Sequence, residues 1–315
     1  MAINPIPSDT SVANSDVPAL TPAVIRRAAQ AAASATDPRT LAATERALRQ
    51  GDALATGQHV TRMAARWRQR IVRFCIARLM RVRVEGAEHI PAGGAIIAPN
   101  HLSHFDPFIV LAYLPTVPYC TLVGDDRALF NTWWKRLILR IVGGVIPIGR
   151  RWKEERAVVL AADAGRADLR PLADAIIQHV PDTESVASLR RLDRIVTGLF
   201  AQGESLLIYP EGRLGSREGH LHTPLKRGTV LYALRSGVPI VPVAIIGVQD
   251  LYLGKPVIVR FGPPLHFPLT PHPKSRDAQA ALDTLTAAMQ ALLPTDYMEP
   301  MGRKLGRVWL KRLFL

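Results

Sequence analysis

The sequence predicts an α/β fold: a mixed, largely parallel sheet covered by helices, with an amphipathic helical element ahead of it. Short apolar runs bounded by turn residues alternate with longer stretches of helical periodicity, which is typical of sheets whose strands are joined by helices. With 315 residues, 48% of them hydrophobic, the chain can bury a sizeable core. The predicted strands are residues 95–99, 119–123, 145–148, 205–209, 240–245 and 256–261, and the main helices predicted among them are residues 129–142, 225–236 and 278–293.

The first segment, residues 1–57, is predicted to be a disordered or weakly helical tail. It is rich in Ala, Ser, Thr, Asp and Pro and has no apolar core of the signal-peptide type. Weak helices are expected around residues 22–33 and 39–50. The two cysteines, Cys75 and Cys120, lie in apolar contexts and imply no disulfide framework, so a reducing compartment is the simpler interpretation.

The positive charge is concentrated in two segments, residues 58–84 and 299–315. Eight arginines and no acid lie between residues 61 and 84, and five basic residues without an acid follow Glu299. Without these thirteen charges the formal net charge of +14 falls to about +1. Apolar residues recur at helical spacing within both segments, so each is predicted to be a basic amphipathic helix. The apolar residues are Met63, Trp67, Ile71, Phe74, Cys75 and Leu79 in the first segment, and Leu305, Val308, Trp309 and Leu313 in the second.

Basic amphipathic helices favour an anionic membrane surface, where each basic residue contributes about 1 kcal/mol. We therefore expect a peripheral protein on the cytoplasmic face of a membrane. A simpler interpretation stays open, in which both helices pack their apolar faces on the protein core and expose solvated arginines. Nucleic acid is not an expected partner, because no aromatic RNA-binding motif, zinc finger or basic zipper is present.

The motif with the clearest chemistry is Asn-His-Leu-Ser-His-Phe-Asp-Pro at residues 100–107. Residues five apart on a helix lie about 140° apart around its axis, so His101 and Asp106 can meet only across a turn. The predicted strand before Asn100 and the helix start at Pro107 place them on such a turn. A neutral imidazole beside a carboxylate is a general base that can activate a substrate hydroxyl.

Two other interpretations of this motif stay open. Asp106 is also suited to cap the helix that Pro107 begins, which would leave His101 an ordinary loop residue. His101, His104 and Asp106 are also possible metal ligands, although no distant Cys or His cluster completes a tetrahedral set.

Three further blocks follow in order. Residues 144–150, Gly-Val-Ile-Pro-Ile-Gly-Arg, end in Arg150; residues 209–213 are Tyr-Pro-Glu-Gly-Arg; and residues 238–243 are Val-Pro-Ile-Val-Pro-Val. With the Asn-His motif, these blocks make the chain resemble the glycerolipid acyltransferase family, typified by 1-acyl-glycerol-3-phosphate acyltransferase, from about residue 84 to residue 264. Lys226 and Gly228 also match a Lys and a Gly that commonly follow the third block.

The resemblance implies acyl transfer, with His101 as general base and Asp106 as its orienting carboxylate. The acyl group would pass directly from a thioester on coenzyme A or acyl carrier protein to a hydroxyl of a lysophospholipid such as 1-acyl-glycerol 3-phosphate. No metal and no bound organic cofactor is implied. The residues that the resemblance assigns to substrate binding are Arg150, Glu211, Gly212, Arg213 and Lys226.

The third block departs from the family pattern. Where the family commonly has Glu-Gly-Thr-Arg-Ser, this chain has Arg213 in the Thr position and Leu214 in the Arg position, so either Arg213 or Arg217 could supply the guanidinium. The acceptor head group stays open for the same reason. The resemblance places the acyltransferase domain at residues 85–298, and residues 151–200 are predicted to be an inserted hairpin of two helices.

Three alternative functions remain at this point. They are an acyltransferase with a non-glycerolipid acceptor, a catalytically silent membrane-binding protein, and a metal-dependent hydrolase. A hydrolase would hold zinc or iron stoichiometrically, whereas a silent protein would bind vesicles without consuming a thioester.

Overall fold

The computed structural model describes residues 17–180 and 186–308. The strands of these residues are β1 (Met80–Glu85), β2 (Ile96–Pro99), β3 (Cys120–Asp125), β4 (Val145–Ile148), β5 (Ser205–Leu207), β6 (Ile240–Ile246) and β7 (Lys255–Phe261). The helices are α1 (Pro22–Ala35), α2 (Pro38–Ala55), α3 (Ala65–Leu79), α4 (Asp106–Tyr113), α5 (Asp126–Phe130), α6 (Trp133–Val142), α7 (Lys153–Asp163), α8 (Arg170–His179), α9 (Val186–Ala201), α10 (Gly228–Ser236) and α11 (Ser275–Leu292). Short 3-10 helices occur at Ala87–His89 and Ala167–Leu169.

The strands form one sheet in the order β1-β7-β6-β2-β5-β3-β4. β1 pairs parallel with β7, β2 pairs parallel with both β5 and β6, and β3 pairs parallel with β5, whereas β6 and β7 are antiparallel. The predicted fold class, a mixed and largely parallel sheet with helices, is therefore confirmed. All six predicted strands form within two residues of the expected bounds at each end.

One strand, β1, was not predicted, and it corrects the helix expected over residues 58–84. The helix α3 ends at Leu79, and the chain then enters the sheet edge beside β7. Arg81, Val82, Arg83 and Val84 alternate basic and apolar residues with the period of two that a strand requires. The apolar residues before Met80 have helical spacing, so the helix was predicted to continue through residues that form a strand.

The chain divides into two compact units, and the larger one contains Ala47–Gly124, Leu139–Ile146 and the residues from Arg191 onward. Its main apolar cluster lies where α10 and α11 pack against β2 and β6. Ile96, Val230, Ile240 and Leu285 are fully buried there. Burial of these side chains contributes about 2 kcal/mol each and supports the strands that carry the candidate site.

The smaller unit contains the described residues up to Arg46, with Asp125–Ile138 and the described part of Pro147–Arg190. Here the structure differs from the predicted weak tail, because α1 buries a stripe of alanines against α7 and α8. Thr21 caps α1 by accepting the N–H of Val24 at 3.3 Å, and Pro22 stands in the first turn. The buried stripe consists of Ala28, Ala31, Ala32 and Ala35.

The predicted two-helix insertion is corrected as well. Residues 151–200 contain three α-helices, α7, α8 and most of α9, with residues 181–185 outside the described part. Gly165, which has a positive φ of 102°, and the 3-10 turn after it end the first helix, and Pro171 stands in the first turn of the second. α7 and α8 belong to the smaller unit, whereas α9 from Arg191 belongs to the larger one.

A buried ion pair lies inside the smaller unit. The Arg127 guanidinium donates to both carboxylate oxygens of Glu155, with 3.0 Å between Nη2 and Oε2, and it also reaches the carbonyl oxygens of Ala31 and Arg150. Both side chains are at most 3% exposed. This pairing compensates the cost of burying two charges and joins three separate segments of the unit.

The described part of the C-terminal segment differs from the predicted helix over residues 299–315. Residues 299–306 are not helical, and residues 309–315, with Trp309 and Leu313, lie outside the described part. Lys304 and Arg307 both donate to the carboxylate of Asp250, at 2.7 and 2.5 Å. These two basic groups are therefore paired with an acid of the larger unit, to which they themselves belong. No helix among the described residues has the length and apolar character needed to cross a bilayer.

Candidate active site

The His101 loop of the larger unit follows β2, and the Tyr209–Arg213 loop follows β5. Because β2 and β5 are parallel neighbours, both loops leave from the carboxyl ends of adjacent strands. Open α/β sheets bind ligands in the crevice outside these ends. Asn100 anchors the start of the first loop. Its side-chain amide donates to the carbonyl oxygen of Ile245 at 3.0 Å and accepts the N–H of the same residue at 2.6 Å.

Asp106 binds the His101 side chain across the turn, as the spacing of the motif predicts. The Nδ1 atom of His101 lies 3.0 Å from Oδ2 of Asp106, and the carboxylate is fully buried. Since a carboxylate only accepts, Nδ1 carries the proton and Nε2 is left as the basic atom. The same Oδ2 accepts the N–H groups of Leu102 at 2.7 Å and Ser103 at 2.8 Å, so the turn itself fixes the carboxylate.

Asp106 is the first residue of α4 rather than its cap. Phe105 occupies the cap position and makes no side-chain bond to the helix. The Asp106 carboxylate turns back toward the loop and binds the N–H groups there. The local geometry therefore supports a role as partner of the histidine over a role as helix cap.

An aromatic ring lies against the imidazole. The rings of His101 and Tyr209 stack with centroids 4.0 Å apart and an angle of 28° between their planes. The Tyr209 hydroxyl is buried and has no hydrogen-bond partner among the described residues. Burial, and then the negative charge of Asp106, raise the pKa of this hydroxyl well above its ordinary value, so it stays protonated at neutral pH.

Glu211 braces two loops. Its Oε1 accepts the backbone N–H of His101 and its Oε2 accepts the backbone N–H of His222, each at 2.8 Å. Burial raises the pKa of the Glu211 carboxyl, and the two N–H bonds oppose that rise. Both carboxylate oxygens thus hold protein groups, and the predicted contact of Glu211 with substrate stays a prediction.

Gly212 is required by the path of the chain. Its φ is +64°, and a Cβ at this position would lie 2.9 Å from Cγ of Lys226. The Lys226 side chain is exposed, and its backbone N–H donates to the carbonyl oxygen of Pro210 at 2.7 Å. The structure therefore brings Glu211, Gly212 and Lys226 together around the loop after β5, as the block pattern predicts.

Arg213 meets a residue that sequence reasoning missed. Its Nη2 atom lies 3.2 Å from Nδ1 of His222. Because a guanidinium only donates, Nδ1 of His222 is the acceptor and the remaining proton of this neutral ring sits on Nε2. The pair therefore presents two kinds of donor, a guanidinium and an imidazole N–H. Leu214, in the family's Arg position, is 40% exposed.

Arg150 belongs to the smaller unit. Its Nε donates to Oδ2 of Asp125 at 3.1 Å, and the indole N–H of Trp152 donates to the same oxygen at 2.8 Å. The guanidinium is thus oriented by Asp125 and remains 39% exposed. Its predicted contact with an acceptor phosphate stays a prediction.

Three residues of the site were not predicted: Tyr209, Gly215 and His222. Gly215 donates its N–H to the carbonyl oxygen of His101 at 2.6 Å, which joins the third block to the His101 loop. Tyr209 could have been noted from its place two residues before Glu211 at a strand end. No sequence pattern marks His222.

Within residues 17–180 and 186–308, no group of three or more His, Cys, Asp or Glu side chains is arranged to hold a metal ion. Asp106 already accepts three hydrogen bonds through Oδ2. In the described geometry the buried Asp106 carboxylate binds Nδ1 of His101 and leaves Nε2 as the basic atom, an arrangement that suits a general base.

Comparison with known proteins gives two findings. A family model described as Acyltransferase matches residues 81–246, just over half of the chain, and this range contains all four blocks. Among solved structures, the fold is similar to the crystal structure of the 1-acyl-sn-glycerophosphate (LPA) acyltransferase PlsC from Thermotoga maritima. That match has 16% sequence identity and a TM-score of 0.47, and it covers 75% of this chain and 81% of the other.

Proposed function

Because this chain belongs to the acyltransferase family, we propose that it moves a fatty acyl group from a thioester, on coenzyme A or acyl carrier protein, to a lysophospholipid hydroxyl. Acceptors such as 1-acyl-glycerol 3-phosphate fit this proposal. The observation that carries the chemistry is the His101–Asp106 pair, in which a buried carboxylate binds Nδ1 and leaves Nε2 as the base.

The reaction follows from this geometry. Nε2 of His101 takes the acceptor hydroxyl proton as that oxygen attacks the thioester carbonyl carbon, and Asp106 stabilises the imidazolium that forms. The carbon–sulfur bond then breaks, the acyl group stays on the acceptor oxygen, and the departing thiolate takes the proton back from His101. Donor and acceptor are bound together, and no acyl-enzyme is formed.

The acceptor phosphate is assigned to the basic groups beside this pair. Arg213 with His222, and Lys226, lie on the loop that Glu211 ties to His101. Guanidinium donors match phosphate oxygens well, and the imidazole N–H of His222 adds a neutral donor. On this proposal, the Arg213–His222 pair replaces the arginine that Leu214 has displaced.

Arg213→Leu tests this assignment against Arg217→Leu, at another guanidinium of the same loop. Arg213→Leu is expected to raise the KM for a phosphate-bearing acceptor about tenfold or more, because a charged hydrogen bond contributes about 1.5–3 kcal/mol. The KM for the thioester should change much less. If Arg217→Leu raised this acceptor KM by the same amount and Arg213→Leu did not, the phosphate would be assigned to Arg217.

We also propose that α3 rests on an anionic membrane surface at the cytoplasmic face. Trp67, Ile71 and Phe74, spaced as one helical stripe, are 51%, 51% and 69% exposed. Exposed aromatic and aliphatic groups flanked by cations suit the headgroup region of a bilayer, and no acid lies between residues 61 and 84. The exposed arginines of α3 are Arg66, Arg70, Arg73 and Arg78.

Vesicle flotation tests the membrane proposal. The wild-type chain should float with vesicles containing phosphatidylglycerol and much less with pure phosphatidylcholine vesicles, because the attraction is partly electrostatic. Replacing Trp67, Ile71 and Phe74 by Ser should abolish flotation. Leu160→Ser with Ile177→Ser, which removes exposed apolar groups elsewhere, is the control. Failure of the wild-type chain to bind anionic vesicles would reject the membrane proposal.

The activity is tested with purified full-length protein, anionic vesicles, oleoyl-coenzyme A or acyl carrier protein, and a panel of lysophospholipids. Release of free thiol that depends on the acceptor, with the matching diacyl product by mass spectrometry, is expected. His101→Ala should remove turnover, while His272→Ala, at an exposed histidine before α11, should keep it. Substantial turnover by His101→Ala would remove the general-base assignment, and thiol release with no acceptor requirement would overturn the lysophospholipid proposal.

A further inference from the structure

We infer that Tyr209 is a positioning residue for His101, and that its aromatic ring, rather than its hydroxyl, does the positioning. The inference rests on the proposed general-base function of His101. It concerns a residue that neither the block pattern nor the proposed mechanism assigns to the reaction. The evidence is the way the imidazole is held at Nδ1 and on one face.

The hydrogen bond to Asp106 does not by itself fix the imidazole. It holds one corner of the ring, at Nδ1, and leaves the plane free to tilt about that bond. The Tyr209 ring lies against the face of the imidazole, at 4.0 Å between centroids and 28° between planes. The hydrogen bond in the plane of the imidazole restricts the movement of Nδ1, and the ring stacked on its face restricts tilting about that bond. Nε2 is therefore held in one direction.

The position of Tyr209 is itself well determined. It follows β5, which pairs with β2, and Pro210 comes directly after it with a restricted backbone. Two residues further on, Glu211 accepts the backbone N–H of His101. The segment that carries the aromatic ring is thus tied to the backbone of the residue on which that ring stacks.

The hydroxyl has no visible part in this arrangement. It is buried and has no hydrogen-bond partner among the described residues. A buried hydroxyl without a partner costs stability, so replacing it by hydrogen is expected to be neutral or stabilising. The useful part of the side chain is the ring, and phenylalanine should serve in its place.

The ring also favours the charged intermediate. When His101 takes the hydroxyl proton, the imidazolium lies over the electron-rich face of the Tyr209 ring, and such contacts are attractive. The imidazole is then contacted by the Asp106 carboxylate at Nδ1 and by this ring on one face, and the Glu211 carboxylate binds the backbone N–H of the same residue. An interaction that strengthens as the charge develops lowers the barrier and leaves substrate binding unchanged.

The experiment compares Tyr209→Phe with Tyr209→Leu in the full chain. Tyr209→Leu should lower kcat about tenfold with each KM within about twofold, the scale expected for loss of one aromatic pair. Tyr209→Phe should restore kcat to within about twofold of wild type. Tyr232→Leu, which removes a partly buried tyrosine packed against the apolar cluster of the larger unit, is the control for lost packing. Tyr209→Met replaces the Leu variant if thermal unfolding shows that the latter is not folded.

A readout independent of turnover separates this inference from the proposed function. The Nδ1 proton shared with Asp106 should give a downfield proton resonance that disappears in His101→Ala. We expect Tyr209→Phe to keep this resonance and Tyr209→Leu to broaden it, because a tilting ring exposes the proton to exchange with water. Wild-type kcat and an unchanged resonance in Tyr209→Leu would overturn the inference, and equal losses in the Phe and Leu variants would assign the role to the hydroxyl. Absence of acyl transfer by the wild-type chain would reject the proposed function and leave the resonance test valid.

Discussion

Asp106→Asn separates the proposed catalytic role of the Asp106 charge from the hydrogen bonds that Asp106 makes in the turn. One oxygen, Oδ2, accepts the Nδ1–H of His101 and the N–H groups of Leu102 and Ser103, at 3.0, 2.7 and 2.8 Å. An asparagine amide oxygen can occupy the same place and keep all three bonds. The other orientation would turn an NH₂ group toward three donors, so the first is strongly favoured.

The expected losses follow mainly from the charge, although the amide NH₂ would also take the place of Oδ1, which is buried without a partner among the described residues. A hydrogen bond to a charged acceptor is worth about 1 kcal/mol more than one to a neutral acceptor, so three such bonds cost about 3 kcal/mol of unfolding free energy. The effect on catalysis should be larger, because the imidazolium loses its counter-charge. We expect kcat to fall by about 10³-fold or more while the KM values change little.

The assay measures acceptor-dependent thiol release together with urea unfolding of the same samples. Asp296→Asn, at an exposed aspartate of the larger unit, is the matched control and should leave both quantities near wild type. Assays run below the urea transition ensure that both variants are folded. A kcat for Asp106→Asn within tenfold of wild type would show that the carboxylate charge is not needed, and would refute the proposed pairing.

Three further outcomes are expected. Gly212→Ala should destabilise the chain by about 1–2 kcal/mol and raise the acceptor KM, because the site has a φ of +64° and the new Cβ would press on Lys226. Arg127→Met should cost about 3–5 kcal/mol in urea unfolding, because Glu155 would be left as an unpaired buried charge. Asp126→Asn should stabilise the chain at pH 7, because burial and the neighbouring carboxylate raise the pKa of Asp126 to about 6.

The sign of the Asp126 effect follows from proton binding. The folded chain holds this proton more tightly than the unfolded chain, whose aspartate titrates near 3.8, so stability falls as the pH rises from about 4 to about 6. The gain from Asp126→Asn should reach at most about 3 kcal/mol above pH 6 and vanish below pH 4. A pH-independent difference in urea midpoint would contradict this account.

The other two predictions have direct controls. Arg166→Met breaks an ion pair with Asp168 that is exposed on both sides, so it should not measurably change stability. If it cost as much as Arg127→Met, burial would not be the source of the effect. Gly93→Ala, at a glycine with open space around its Cβ position, should be tolerated, and an equal loss there would remove the steric argument for Gly212.

Much of the fold was predictable because its signals are local. The six predicted strands are short apolar runs between turn residues, and each formed near its expected place. β1 was missed because the basic amphipathic helix α3 joins it without a turn residue. The helices of the smaller unit were underestimated, since the alanines of α1 have weak hydrophobicity on their own and gain their burial only from α7 and α8.

The sequence by itself determined that His101 and Asp106 meet, because five residues of chain and one turn bring those two groups together. It also determined the alternating architecture and the membership of the family. Only the tertiary structure decided that Tyr209 stacks on His101, that Glu211 braces the loops with both oxygens, and that His222 faces Arg213. The contacts that Tyr209 and Glu211 make with His101 join residues more than one hundred positions apart, and they exist because β5 lies beside β2 in the sheet. Strand order is a property of the whole packed chain, so no local periodicity records it.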